Sequence, residues 1–166
     1  MCLAEIQNDS TVQSKQGGTM SEALLLKDRI STALELGESH FREFKSALEG
    51  PEGSKKARPK SEIARDICST LVAFANADGG TLLVGVEDDG KVTGVPHNDK
   101  EVDYLKNSWK DGVHKDTPLS GVQVSELEVE GNKIIYFMTL KSASYVHLTS
   151  DGNAYSVGIS RVLQFL

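Results

Sequence analysis

Ala73-Phe74-Ala75-Asn76-Ala77-Asp78-Gly79-Gly80-Thr81-Leu82-Leu83-Val84-Gly85-Val86-Glu87-Asp88-Asp89-Gly90 reads as the end of a helix, a glycine break, a buried strand and a turn. Upstream, Ile63, Ile67, Leu71 and Phe74 recur at helical spacing, with Ala64, Cys68, Val72 and Ala75 beside them. Ser61 is expected to cap this helix, and Glu62 favours the positive end of its dipole. The Gly79-Gly80 pair is expected to end it, because glycine accepts the left-handed conformation of a C-cap. Leu82, Leu83, Val84 and Val86 form a nearly unbroken apolar run, the pattern of a strand covered on both faces. Asp89-Gly90 predicts a type I′ hairpin turn, after which the chain returns through Val92 to Val95.

Working outward, the flanks supply more of both element types. Leu24, Leu25, Ile30, Leu34 and Leu36 predict an amphipathic helix ending near Gly37. Phe41 to Lys45 reads as a short strand. Ser46 to Lys60 reads as a loop, since it holds Gly50, Pro51, Gly53 and Pro59. Downstream, Val102, Leu105 and Trp109 share one face of a helix over about Asp99 to Gly112. Val122 to Glu130 alternates, Gly131-Asn132 turns, and Ile134 to Met138 returns as a second hairpin. Val146 to Leu148 and Ala154 to Val157 read as short strands around an Asp151-Gly152 turn. The fold class expected is α/β (α+β), a single mixed-sheet domain with packed helices. Residues 1–20 lack periodicity and are expected to be a flexible tail, leaving 21–166 as the domain.

At 166 residues the chain is long enough for one core. Cys2 and Cys68 lie far apart, and Cys68 falls within an apolar helical pattern, so packing is expected rather than bridging. A reducing cytoplasmic setting is the expectation. No apolar run reaches the roughly 18 residues of a membrane span, and the polar N-terminus does not read as a signal peptide. His40, His97, His114 and His147 lack zinc-ligand spacing, and Ser39 lacks a hydrolase elbow.

The net charge of −6 argues against a generic nucleic-acid coat protein. Local charge counts for more, because salt screens interactions beyond about 10 Å. Lys55, Lys56, Arg58 and Lys60 cluster in sequence, with Lys45 upstream, and are candidates to hold a nucleic-acid backbone. The bland alternative is a solvated loop. Gly85-Val86-Glu87-Asp88-Asp89-Gly90-Lys91 fits the first seven positions of a phosphate-binding loop, G-x-x-x-x-G-K. Val92 replaces the magnesium-holding Ser or Thr, a β-return replaces the helix, and three acids would repel a triphosphate. ATP is therefore not expected as a ligand.

Glu38-Ser39-His40-Phe41-Arg42-Glu43-Phe44-Lys45, followed by Ala73 to Gly90 and then Val92-Thr93-Gly94-Val95, resembles the Schlafen AlbA domain family over roughly Glu38 to Gly158. That family includes DNA-binding regulators and Schlafen proteins that cut tRNA and rRNA. The resemblance assigns Glu38, Glu43 and Asp88 to the nuclease centre, as ligands of magnesium or manganese and thus as the catalytic and metal residues. Such cations take hard oxygen ligands from a few carboxylates, polarise a phosphate oxygen and activate bound water. Lys45 would add positive charge beside the scissile phosphate. Geometry sets a condition: five residues of strand span about 16 Å and an odd offset faces opposite ways. Glu38 and Glu43 can share a metal only if the chain bends, and Gly37 and Ser39 offer the bend. Otherwise the acids are surface charges paired with Arg42 and Lys45.

Two functions stay open: a metal-dependent endoribonuclease acting on structured RNA such as tRNA, and a non-catalytic DNA-binding regulatory module. Asn76 belongs to the family pattern and is expected to hydrogen-bond backbone at the helix end. Ser156 stands where family members commonly carry an arginine, which removes a phosphate-binding group from that edge. Schlafen nuclease cores pair two related lobes, so a homodimer is expected of this one-lobed chain.

Overall fold

In this computed structural model residues 20–157 are described, together with the backbone of 162–165. Residues 1–19 of the expected tail lie outside them, and Met20 opens the first helix. The domain is mixed α/β, with three helices and a mixed sheet. Its elements are α1 (Met20–Leu36), β1 (Arg42–Lys45), β2 (Leu48–Glu49), β3 (Lys56–Ala57), α2 (Lys60–Asn76), β4 (Gly79–Val84), α3 (Asp99–Gly112), β5 (Gln123–Val129), β6 (Asn132–Leu140), β7 (Ala154–Val157) and β8 (Val162–Phe165).

The main sheet has the order β1-β4-β6-β5. Strand β1 runs parallel to β4, with Phe44 opposite Leu83, while β6 is antiparallel to both β4 and β5. Successive side chains on a strand point to opposite faces, so β4 feeds two cores. Leu82 and Val84 join Ile63, Ile67, Leu71 and Phe74 of α2, together with Ile135 and Phe137. Leu83 joins Phe44, Ile134 and Tyr136 beneath Ile30 and Ala33 of α1. The apolar run is thus a strand covered on both faces, as its composition predicts. Helix α3 adds Val102 and Leu105 to the α2 side. It approaches α2 so closely that a Cβ on Gly112 would collide with the Cys68 Sγ.

Several local expectations need correcting. Ser61 lies inside α2; Pro59 holds the N-cap position and supplies no side-chain bond, its fixed φ already suiting the entry to a helix. The glycine pair does not cap α2, which ends at Asn76; it opens β4 instead. A Cβ at Gly80 would meet the Phe74 ring at 2.6 Å, and one at Gly79 would meet the Thr139 carbonyl at 2.8 Å, so these glycines let the strand lie against its neighbours. In the Glu87–Lys91 turn only Gly90 has positive φ (87°), which gives the three-residue hairpin class rather than type I′. Type I′ geometry occurs at Glu130 and Gly131, with φ of 52° and 75°, one residue earlier than the sequence suggested. The Ser46–Lys60 loop contains the small β2–β3 hairpin. Residues 146–148 form no strand; Thr149 makes a lone bridge to Val113. Leu24, Leu25 and Leu36 of α1 are exposed, because the face that packs on the sheet carries Leu26, Ile30, Ala33 and Leu34 instead. No helix among the described residues is long and apolar enough to cross a membrane.

Candidate acidic site and nucleic-acid interface

The bend required between Glu38 and Glu43 is present. Helix α1 ends at Leu36, Gly37 takes φ 71°, and Ser39 pairs with Arg42 in a tight turn. Arg42 Nε donates to the Gly37 carbonyl at 2.8 Å and fixes the corner. The chain doubles back, so that Glu38 Oε1 accepts from the Phe44 N–H at 3.0 Å. Glu43 and Lys45 sit two residues apart on one strand face, with Lys45 Nζ donating to Glu43 Oε1 at 2.5 Å. Asp88 stands exposed at the start of the neighbouring turn.

Electrostatics ties these residues together. Glu38 is exposed overall, yet partial burial of its carboxyl, which accepts from the Phe44 N–H, raises its pKa above the ordinary value. The Phe44 N–H and Lys45 pull it down, while the charges of Glu43 and Asp88 push it further up. The predicted acidic triplet and Lys45 therefore share one corner, at the end of β1 beside the β4 turn. Among the described residues no three side chains already form a metal-holding group. The donors are the hard oxygens a divalent cation takes; Glu43 must first exchange its bond to Lys45.

The basic cluster is placed differently. Lys55 Nζ donates to Glu87 Oε2 at 2.7 Å, Lys56 faces Glu49 at 3.4 Å, and Arg58 bonds Asp66 at 2.9 Å. Lys60 lies 3.5 Å from Glu101. Each proposed phosphate-binding cation already faces an acid, and the cluster lines the β2–β3 hairpin and the start of α2.

Sequence reading missed Glu87. It accepts from Ser46 Oγ at 2.6 Å, Thr93 Oγ1 at 2.7 Å and Lys55, tying the β2–β3 hairpin to the turn that bears Asp88. Burial works to raise its pKa, and these hydrogen bonds outweigh burial to leave it below the ordinary value. Nothing in the spacing marks Glu87 apart from Asp88 and Asp89. Asn76 does bond backbone, but to distant segments. Its Nδ2 donates to the His147 and Tyr155 carbonyls at 3.0 and 2.9 Å, and its Oδ1 accepts from the His147 N–H at 2.7 Å. Those contacts dock β7 on the end of α2.

No curated protein matches the sequence. Among solved structures, the fold is similar to that of the DIP2311 protein from Corynebacterium diphtheriae. The TM-score is 0.59 at 16% identity, over 87% of this chain and 27% of that one. This chain thus spans about a quarter of that protein (27%), and the likeness is one of fold. The N-terminal domain of a RecG-related protein from Nitrosomonas europaea matches at a TM-score of 0.46 and 22% identity, over 69% of this chain and 71% of that domain. The family model described as Schlafen, AlbA_2 matches residues 38–157, from the first acid of the corner to the end of β7. The chain belongs to the Schlafen AlbA_2 family.

Proposed function

We propose that this chain is a nucleic-acid-binding domain whose acidic corner supports metal-dependent cleavage of structured RNA, with tRNA as the substrate class. The observation that carries the reading is the shared corner of Glu38, Glu43 and Asp88, where the charges of Glu43 and Asp88 add to burial in raising the Glu38 pKa. Carboxylates held together against their own repulsion lower the free energy of a bound cation. They are also a mark of functional rather than merely structural placement. A magnesium or manganese ion bound there would supply Lewis-acid polarisation of a phosphate oxygen. The chain's part is to present the three carboxylates, to hold Glu38 through the Phe44 N–H, and to bring the Lys45 ammonium to the developing charge. Lys55, Lys56, Arg58 and Lys60 would exchange their acidic partners for phosphates along the backbone. A cytoplasmic setting belongs to the same proposal, and free, buried Cys68 supports it.

A second reading, a non-catalytic DNA-binding module, draws on the 2.5 Å bond between Lys45 and Glu43, which neutralises one proposed ligand. The binding part common to both is tested by fluorescence anisotropy with tRNA and duplex DNA at increasing salt. The expected result is binding at low salt that weakens steadily as salt rises. Charge reversal at Lys55 and Lys56 is expected to weaken binding on every sequence tried. Failure to bind either nucleic acid at low salt would sink both readings.

A further inference from the structure

A separate cavity of about 370 Å³ lies between α2 and α3, closed by the turn that leads into β7. That volume falls at the lower end of small-molecule sites, roughly 300–1,000 Å³. Arg65, Tyr104, Asn107, Asp111, Ser150 and Tyr155 contribute to its lining. Two aromatic rings thus share one concave surface with a guanidinium, the carboxylates of Asp111 and Asp151, and neutral hydrogen-bonding groups. Arg65 is exposed and makes no hydrogen bond or ion pair among the described residues. This sets it apart from Lys45, Lys55, Lys56, Arg58 and Lys60, each of which faces a carboxylate. Asp111 is likewise exposed and without such a partner among those residues. Tyr104 is 46% exposed, and the Lys60 ammonium lies 5.6 Å from its ring centre.

We propose that this cavity grips one nucleotide of a single-stranded nucleic acid, its base against Tyr104 and Tyr155 and its phosphate on Arg65. Aromatic side chains stack any base, because every base has a π-face. A planar guanidinium holds a phosphate through paired N–H donors, and one that no carboxylate engages is ready to do so. Asp111 can accept from the amino or imino N–H of a base, which has no counterpart in a bare anion. Burial raises the Tyr155 pKa, and Asp151 adds to this against Arg65, so the ring stays neutral and keeps a hydroxyl to donate. The inference rests on the nucleic-acid reading above and adds a grip point for the strand on the α2–α3 face, apart from the acidic corner.

The test is an NMR titration of the full chain with a short oligouridylate, with uridine monophosphate and with inorganic phosphate, alongside oligonucleotide affinities for Arg65→Ala and Tyr104→Ala. Both side chains are exposed, and unchanged thermal midpoints would confirm that the fold is kept. The expected result is amide shifts at Asn107, Ser150 and Asp151 with the oligonucleotide and the monophosphate, and about tenfold weaker oligonucleotide binding in each variant. Binding that ignores both substitutions, with shifts confined elsewhere, overturns the cavity assignment and leaves the function reading standing. Equal shifts with inorganic phosphate alone overturn it too, since the base then adds nothing. Monophosphate shifts in the cavity with no oligonucleotide binding support the cavity and sink the function reading. Silence of the cavity toward both nucleotides overturns the assignment outright.

Discussion

Asn76 shows how one side chain can act as a piece of sheet backbone. Its amide offers two donors and an acceptor to the 147 and 155 segments, so neither half-buried carbonyl is left unpaired. Asn76→Asp keeps the acceptor and removes both donors. The expected cost is about 2–3 kcal/mol in urea denaturation, because two carbonyls then face a carboxylate; a change within about 0.5 kcal/mol would mean that the clamp is dispensable. The bond to backbone was legible in the family pattern. Its partners were not, because they lie seventy-one and seventy-nine residues away in sequence. Gly80 makes a second residue-level case. Its φ is not in the left-handed region, so only the Phe74 ring at 2.6 Å forbids a side chain. Gly80→Ala is expected to cost about 1–3 kcal/mol, and less in a Phe74→Leu background. Equal costs in both backgrounds would show that the ring is not the cause.

Among the elements, α2 was the most legible. Ile63, Ile67, Leu71 and Phe74 are all buried, as their spacing predicts. Leu71→Ala is expected to cost about 2–5 kcal/mol by removing a side chain with no exposure. The same reading misjudged α1, because periodicity reports an apolar face and not how much sheet lies beneath it. The β2–β3 hairpin was invisible for another reason: its paired segments are two residues each, and side chains outside it hold it in place. Its Glu87 anchor makes the molecule pH-sensitive. The Glu87 pKa is lowered, so its stabilisation is complete above the ordinary value of 4.5 and is lost as pH falls below that toward the folded value. Glu38 has the opposite sign. Its pKa is raised, so stability declines as pH rises from 4.5 through the folded value. Thermal midpoints against pH are therefore expected to fall less steeply in acid for Glu87→Gln. Glu38→Gln is expected to be at least as stable as wild type at neutral pH. A destabilised Glu38→Gln protein would contradict the crowding of charge at that corner.

On the scale of the whole molecule, a cleft of about 610 Å³ lies between α1 and the sheet, lined in part by Leu25, Phe41, Tyr136, Met138 and Leu140. Leu24, Leu25, Phe41 and Leu140 are each more than half exposed. Apolar groups left open together favour association, and a symmetric homodimer is the expected assembly; light scattering that gives a monomer mass at micromolar concentration would contradict it. Family and fold class were legible because the motif segments and the apolar strand are local patterns. The fate of the basic residues was not, since the acids that pair with Lys55 and Lys60 come from the β4 turn and from α3. Cleavage of RNA at the acidic corner is tested by a tRNA cleavage assay with manganese and then with chelator. Wild-type protein is expected to cut only with metal, and Glu43→Gln and Asp88→Asn to lose cleavage while binding tRNA as well or better, since removing negative charge near phosphates reduces repulsion. Intact tRNA with wild-type protein and manganese, or cleavage undiminished in both variants, would contradict it.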